Sequence, residues 1–184
     1  MAMQELGCYK LEDGKNPHKP YLTIMEIEKN YKNFLPKITM KEGRMARAED
    51  ELVVPQHAID GGGFEVKIGD TVTIETGNRY TERGIEKDAL VVDDDGNLAE
   101  TLKDIKTRTY KVVGICDRTE MESMLPEPGY YAFTMGTEPG RFSNIYLNTK
   151  DVGKLQNIVE KACKICEPEE IATRDNNRPL LYRG

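Results

Sequence analysis

The sequence predicts an α+β fold, with helical segments near both ends of the chain and a purely β middle. Two observations point to strands. "VKIGDTVTIETG", Val66 to Gly77, alternates apolar and polar residues on either side of Gly69-Asp70, and "RTYKVVGICD" repeats the alternation at 108–117. A third points to helices: apolar residues recur at helical spacing in Ile27, Tyr31, Phe34 and Leu35, and again in Val152, Leu155, Val159, Ala162 and Cys166.

Taken in order, Glu5–Leu11 reads as a short strand ended by the turn-rich "EDGKNPHKP". "PYLTIMEI" is nearly continuously apolar and β-branched, the pattern of a strand buried on both faces. It leads into the first amphipathic segment, which Pro36 stops. "ELVVP" is a brief strand closed by Pro55. The triplet Gly61-Gly62-Gly63 lacks the Lys-Ser/Thr and the helix of a phosphate loop, since "FEVKIGDTVTI" follows it, and it reads as a flexible connector.

In the opening stretch Val66, Ile68, Val72 and Ile74 share one face, with a turn or bulge at Gly69-Asp70. In its counterpart Tyr110, Val112 and Cys116 point one way, Val113 and Ile115 the other, and Gly114 marks a bulge or a close backbone approach. Two such strands separated by a long excursion predict a small twisted sheet or a partly closed barrel. After "LPEPG", the runs "YYAFTM" and "FSNIYLN" read as strands, and the second amphipathic helix follows with Asn148 or Thr149 as its N-cap.

Composition narrows function. The chain has 184 residues, 38% hydrophobic and 32% charged, with 16 glycines and nine tyrosines that suit a turn-rich β fold. Its net charge of −6 repels a phosphate backbone on average, so nucleic acid is not an expected partner. No segment reaches the ~20 consecutive apolar residues of a membrane span, and "MAMQELGCYKLEDGKN" has none of the parts of a signal peptide. The sequence as given therefore reads as a soluble piece.

The candidate chemistry is thin. Cys163-x-x-Cys166 resembles half a metal site, but Cys8 and Cys116 stand alone and the only histidines are His18 and His57. The pair closes a helix rather than opening one, and reads as small buried apolar residues rather than reactive thiols. The excursion from Glu86 to Asp104 carries seven acids against Lys87 and Lys103, a local excess of five negative charges. Its "VVDDDGN" fails as a calcium loop, because setting Gly96 sixth puts Val91 first and Leu102 twelfth. A solvated hairpin tip is the expectation. Neither histidine lies in a nucleophile–base motif, and neither HExxH, GxSxG nor GxGxxG occurs. The expectations are no catalytic residue, no cofactor and no metal.

Several segments, in order, resemble the extracytoplasmic region of ABC transporter permeases of the FtsX/MacB type, notably those of Gram-positive bacteria. "YLTIMEIEKNYKNFLPKITMKEGRMARAEDELVVPQHAI" is similar to the start of that region. There a strand and a short helix lead to a Gly-Arg-x-Pro signature, and a glutamate and three apolar residues follow. Here the signature stands as Gly43-Arg44 and Glu51-Leu52-Val53-Val54, with Met45-Ala46 in place of the usual proline. "KIGDTVTI", containing Gly69 and Asp70, and "RTYKVVGI", containing Gly114, resemble two further segments, and "YYAFTM", "NIYLNTKDVGKLQNIVEKA" and "NNRPLLYRG" follow in the family's order.

The resemblance implies a βαβ-type α/β layer built from both chain ends, 1–56 plus 127–184, and an inserted β-rich, barrel-like subdomain over 57–126. It implies a plasma-membrane protein whose extracytoplasmic domain this is, flanked by transmembrane helices of the same permease. That domain would be non-catalytic, with ATP hydrolysis on a separate cytoplasmic ATPase subunit. It would engage a peptide, lipid or envelope-protein substrate and transmit that contact mechanically, and the full transporter allows a dimer. Gly43, Arg44, Glu51, Gly69, Asp70 and Gly114 match the family pattern and read as structural. Tyr80, Tyr130 and Tyr131 are candidate partner contacts because tyrosine suits interfaces, with cross-strand packing as the plainer reading. The alternative to a permease domain is a free secreted or surface module that binds a ligand or protein. An enzyme with an unrecognised carboxylate site around Asp93–Asp95 is the third reading.

Overall fold

The computed structural model describes residues 2–12, 14–29, 31–33, 38–82, 84–85, 89–120, 122, 128–136, 144–145, 151–166, 171–175 and 178–182. The chain divides into two compact units, Met1–Tyr146 and Leu147–Gly184. The first contains strands β1 (Ala2–Lys10), β2 (Tyr21–Ile27), β3 (Met40–Gly43), β4 (Glu51–Pro55), β5 (Thr71–Thr81), β6 (Gly84–Ile85), β7 (Thr101–Cys116), β8 (Gly129–Met135) and β9 (Asn144–Ile145). A short helix, α1 (Gln56–Asp60), follows β4 directly.

Six of these strands lie side by side in the order β7-β4-β8-β2-β1-β5, and β5 pairs back onto β7, so the sheet closes into a barrel. The β2–β8 and β4–β7 neighbours are parallel, and the other four seams are antiparallel. β7 is long enough to serve two neighbours along one edge, β5 against Thr101–Lys111 and β3 against Gly114–Cys116.

This closed, mostly β architecture overturns the expected α+β class and its βαβ-type α/β layer. The amphipathic stripe beginning at Ile27 is divided rather than helical. Ile27 is the last residue of β2, and Tyr31 lies in a single 3₁₀ turn, Tyr31–Asn33. Phe34, Leu35 and Pro36 fall outside the described residues. A stripe of two turns is too short to nucleate a helix without help, whereas β2 gains a full ladder on each side, antiparallel to β1 and parallel to β8. Residues 57–126 contribute β5 and β7 to this barrel, beside strands from 1–56 and 129–135, and β6 pairs with the end of β5.

Strand alternation sorts the apolar side chains into two cores. Leu22, Ile24, Leu52, Val54, Ile74, Tyr110, Val112, Tyr130 and Ala132 form one, with Leu11, Phe64 and Val66 packed among them. On β5 and β7 the residues of opposite parity to Ile74 and Tyr110, including Thr73, Glu75, Thr107 and Thr109, are exposed. The first core therefore fills the barrel. The second, with Met25, Ile27, Val53, Val113, Cys116, Tyr131, Phe133 and Met135, lies on the barrel's outer surface under Met3, Tyr31 and Ala46. This explains why β2 and β8 read as continuously apolar: both of their faces are buried.

One sequence expectation reverses here. Cys116 shares the outer core with Val113 rather than the inner core with Tyr110 and Val112. Between Leu52 and Val53 the β4–β7 register shifts from Val112 to Gly114, and this extra residue on β7 flips the parity beyond it. The triplet Gly61-Gly62-Gly63 is also more than a connector. Gly61 N–H donates to His57 O and Phe64 N–H to Ala58 O, closing α1, and Gly62 is pressed between the Ala58 carbonyl and the Tyr130 ring, leaving no room for a Cβ.

The second unit holds a 3₁₀ turn (Val152–Lys154), helix α2 (Leu155–Cys166) and an antiparallel hairpin of β10 (Ile171–Asp175) and β11 (Arg178–Tyr182). On α2 Leu155, Ile158 and Val159 are half-buried while Gln156, Asn157 and Glu160 are exposed. The expected N-cap, Asn148 or Thr149, lies outside the described residues, as does most of "FSNIYLN" beyond β9.

Candidate functional site

The six family-pattern residues, up to 71 positions apart in sequence, converge on one stretch of β7. Gly43 pairs with Gly114 across the β3–β7 ladder. Gly43 has φ +70°, and a Cβ there would strike the Val113 carbonyl; a Cβ on Gly114 would strike the Arg44 carbonyl. Backbones this close admit only glycine. Arg44 N–H donates to Val113 O at 3.0 Å.

The Arg44 side chain then reaches Glu51 at the start of β4 with a two-pronged contact, Nη1 to Oε2 at 2.7 Å and Nη2 to Oε1 at 2.5 Å. Glu51 Oε2 also accepts the Arg47 N–H at 2.8 Å. These bonds, that from Arg44 foremost, hold the Glu51 carboxyl down at about 2. On the other side of β7, Gly69 takes φ +97° and its N–H donates to Val112 O, while Val112 N–H donates to Asp70 O. The Asp70 carboxylate accepts the Lys67 N–H at 2.8 Å, closing the turn that leads into β5. The whole is a backbone joint where β3, β4 and the lead into β5 meet Lys111–Gly114.

Of the three tyrosines named as partner contacts, Tyr80 alone is accessible. Its hydroxyl donates to Asp104 at 3.1 Å, and Lys103 Nζ lies 5.0 Å from its ring. Tyr130 and Tyr131 are 3% and 1% exposed, one in each core. Both rings are covered because β8 is buried on both of its faces, Tyr130 inside the barrel and Tyr131 outside it.

Sequence reasoning missed a second constellation, at the end of the barrel where β4 finishes and β8 begins. Glu122, in the connection from β7 to β8, has a side chain only 1% exposed. Both of its oxygens lie 2.8 Å from His57 Nε2, on α1. Arg118 Nε donates to Oε2 at 2.8 Å, and Lys19 Nζ, from the β1–β2 connection, stands 3.7 Å from Oε1. Lys19 also sits over the Tyr130 ring at 5.3 Å, and the His57 ring is 5.0 Å from it. Burial pushes the Glu122 carboxyl up, but the His57 bond and the charges of His57, Lys19 and Arg118 outweigh it, leaving the group below the usual carboxylate range. Only Arg118 and Glu122 are close in sequence, so no spacing announces the group.

A third feature anchors the acidic excursion. Arg79 of β5 and Glu100 pair in full burial, Nε to Oε2 at 2.6 Å and Nη2 to Oε1 at 3.0 Å. Arg79 also donates to Ala89 O and stacks 5.5 Å from the Tyr21 ring, while Glu100 accepts the Val91 N–H. Beyond the anchor, the tip is the hairpin expected from the sequence. Val92 pairs with Leu98, and the Asp93 carboxylate accepts the N–H groups of Asp95 and Asn97.

Among the described residues, no group of three or more His, Cys, Asp or Glu side chains is placed to hold a metal ion. Cys8 and Cys116 are buried, and burial pushes the Cys116 thiol up to about 12. No helix among the described residues is long and apolar enough to cross a membrane. A scan of the sequence against protein-family models finds no match, and no curated protein matches it.

Proposed function

We propose that this chain is the extracytoplasmic domain of an ABC transporter permease of the FtsX/MacB type. In this reading it engages a peptide, lipid or envelope-protein substrate and couples that contact to transmembrane helices and a cytoplasmic ATPase, with no catalysis of its own. One observation carries the reading. Gly43, Arg44, Glu51, Gly69, Asp70 and Gly114, the residues of the resemblance, form a single interlocking joint. A chance likeness of short motifs would scatter them over the fold; a pattern that belongs to a fold places them together.

The reading also fits the kind of polar chemistry present. Each charged group with a marked shift is spent on another protein group: Glu51 on Arg44, Glu122 on His57, Lys19 and Arg118, and Arg79 on Glu100. Such groups position segments, which is what a coupling domain requires.

The test is genetic and biochemical. The gene should encode apolar spans of about 20 residues flanking this region, beside a gene for an ATPase subunit. Affinity purification of the full-length product from membranes should recover that ATPase. Recovery of a soluble secreted product with no associated ATPase would overturn the reading in favour of a free binding module.

A further inference from the structure

The barrel's six seams are not equal. β1 pairs with β2 along its length, from Met3↔Ile27 to Lys10↔Tyr21, and β2 pairs with β8 from Tyr21↔Gly129 to Ile27↔Met135. β5 and β7 are joined from Thr71↔Lys111 to Tyr80↔Thr101, and β4 runs beside β7 from Glu51↔Lys111 to Pro55↔Cys116. By contrast β1 meets β5 through the single pair Cys8↔Gly77, and β4 meets β8 through the single pair Val53↔Phe133. The two thin seams stand opposite each other in the ring. They divide it into a half-shell of β8, β2 and β1 and a half-shell of β5, β7 and β4.

We infer that the barrel is a shear device, in which these two half-shells slide against one another along the β1–β5 and β4–β8 seams. Displacement anywhere else breaks a full ladder of backbone hydrogen bonds. Displacement here breaks one pair on each side. The inner core spans both halves, with Leu22, Ile24 and Ala132 against Leu52, Val54 and Val112. Apolar contact has no preferred direction, so a small slide keeps that area buried while exchanging neighbours. At the β1–β5 seam the contact is glycine on glycine: a Cβ on Gly7 would lie 3.0 Å from Gly77 O. Among the described residues the side-chain hydrogen bond across this seam is a long one, from Thr76 Oγ1 to the Leu6 carbonyl at 3.5 Å.

The polar bridges between the halves then act as latches. Thr134 of β8 donates to the carbonyls of Ala48 and Glu49 at 3.3 and 3.0 Å, just before β4. Glu122, in one of the two connections that cross between the halves, is shared by His57 of the β4 half and Lys19 of the β2 half. The inference stands apart from any transporter, since it concerns only the barrel.

The test is a pulsed electron–electron distance measurement on the whole chain, with ketone-bearing residues introduced as label sites so that the native cysteines stay in place. Labels at Lys10 and Thr107, both exposed, span the halves; labels at Thr71 and Lys106 lie within one half and serve as the control. The expected result is a cross-half distance distribution about twice as wide as the control, or split in two. Glu122→Gln should widen the cross-half distribution further and leave the control unchanged. A cross-half distribution as narrow as the control in the native chain would overturn the proposal, whatever the variant does.

Discussion

The Arg44–Glu51 joint and the Glu122 cluster are both carboxylates held by cations, yet they are built in opposite ways. At the joint the side-chain pair is partly exposed, and the tight fit is in the backbone, where Gly43 and Gly114 touch. At the cluster the fit is between side chains: one buried carboxylate collects Lys19, His57 and Arg118 from three separate segments. The comparison teaches which substitution hurts in each place. The joint should fail through its glycines and tolerate changes in its ion pair, while the cluster should fail through its acid.

The largest effect is expected at Gly114. Gly114→Ala drives a methyl into the Arg44 carbonyl, which is backbone and cannot step aside, and should cost ~3 kcal/mol or more in urea unfolding. Gly69→Ala is the informative contrast. Nothing lies within 4 Å of a Cβ there, so only the φ of +97° opposes it, and the expected loss is ~1 kcal/mol. Equal losses at the two glycines would break the distinction between contact and conformation.

Next comes the cluster. Glu122→Gln leaves His57, Lys19 and Arg118 facing a neutral amide. The full penalty of a broken buried pair is ~3–5 kcal/mol, but Lys19 and Arg118 keep solvent access, so ~2 kcal/mol is expected. The same residue sets a pH dependence. Its folded-state carboxyl is depressed, so its stabilisation is fully present above the ordinary glutamate value of 4.5 and is lost as pH falls through the folded-state value. Glu51 adds a similar loss that extends down to about 2. Stability of the native chain should therefore fall as pH drops below about 5, and Glu122→Gln should flatten that fall. An unchanged acid slope in the variant would remove Glu122 from the account.

The smallest effect is expected from Arg44→Lys, which keeps the charge but loses the two-pronged contact. With Arg44 partly exposed, Tm should drop by only ~2 °C. A drop as large as that of Gly114→Ala would mean that the ion pair to β4, rather than the backbone contact with β7, holds β3 in place.

How much of this was legible follows from the same contrast. The joint was readable because its parts carry local signals: glycines where a strand pattern is interrupted, and Asp70 beside Gly69 in a turn. The strands at Tyr21–Ile27, Glu51–Pro55 and Gly129–Met135 were also readable, since burial on both faces leaves a continuous apolar run. Barrel closure was not, because it depends on single pairs between residues 69 and 80 positions apart, Cys8 with Gly77 and Val53 with Phe133, and no local pattern encodes them. The Glu122 cluster was invisible for a similar reason: Lys19, His57 and Glu122 are ordinary polar residues until the fold brings three connections to one end of the barrel. Tyr130 and Tyr131 carry two readings in the sequence, partner contact and cross-strand packing, because a tyrosine next to polar turns looks the same whether it packs against the fold or faces solvent. Their burial accords with the packing reading.

All of these expectations rest on a ring that closes at two narrow contacts. The most direct check is a nuclear Overhauser experiment on isotope-labelled protein, looking for backbone proton contacts between Cys8 and Gly77 and between Val53 and Phe133. A closed barrel predicts both sets of cross-peaks in one folded species. Absence of either, with the β5–β7 and β1–β2 ladders still present, would show an open sheet and contradict the architecture on which the joint, the cluster and the sliding halves depend.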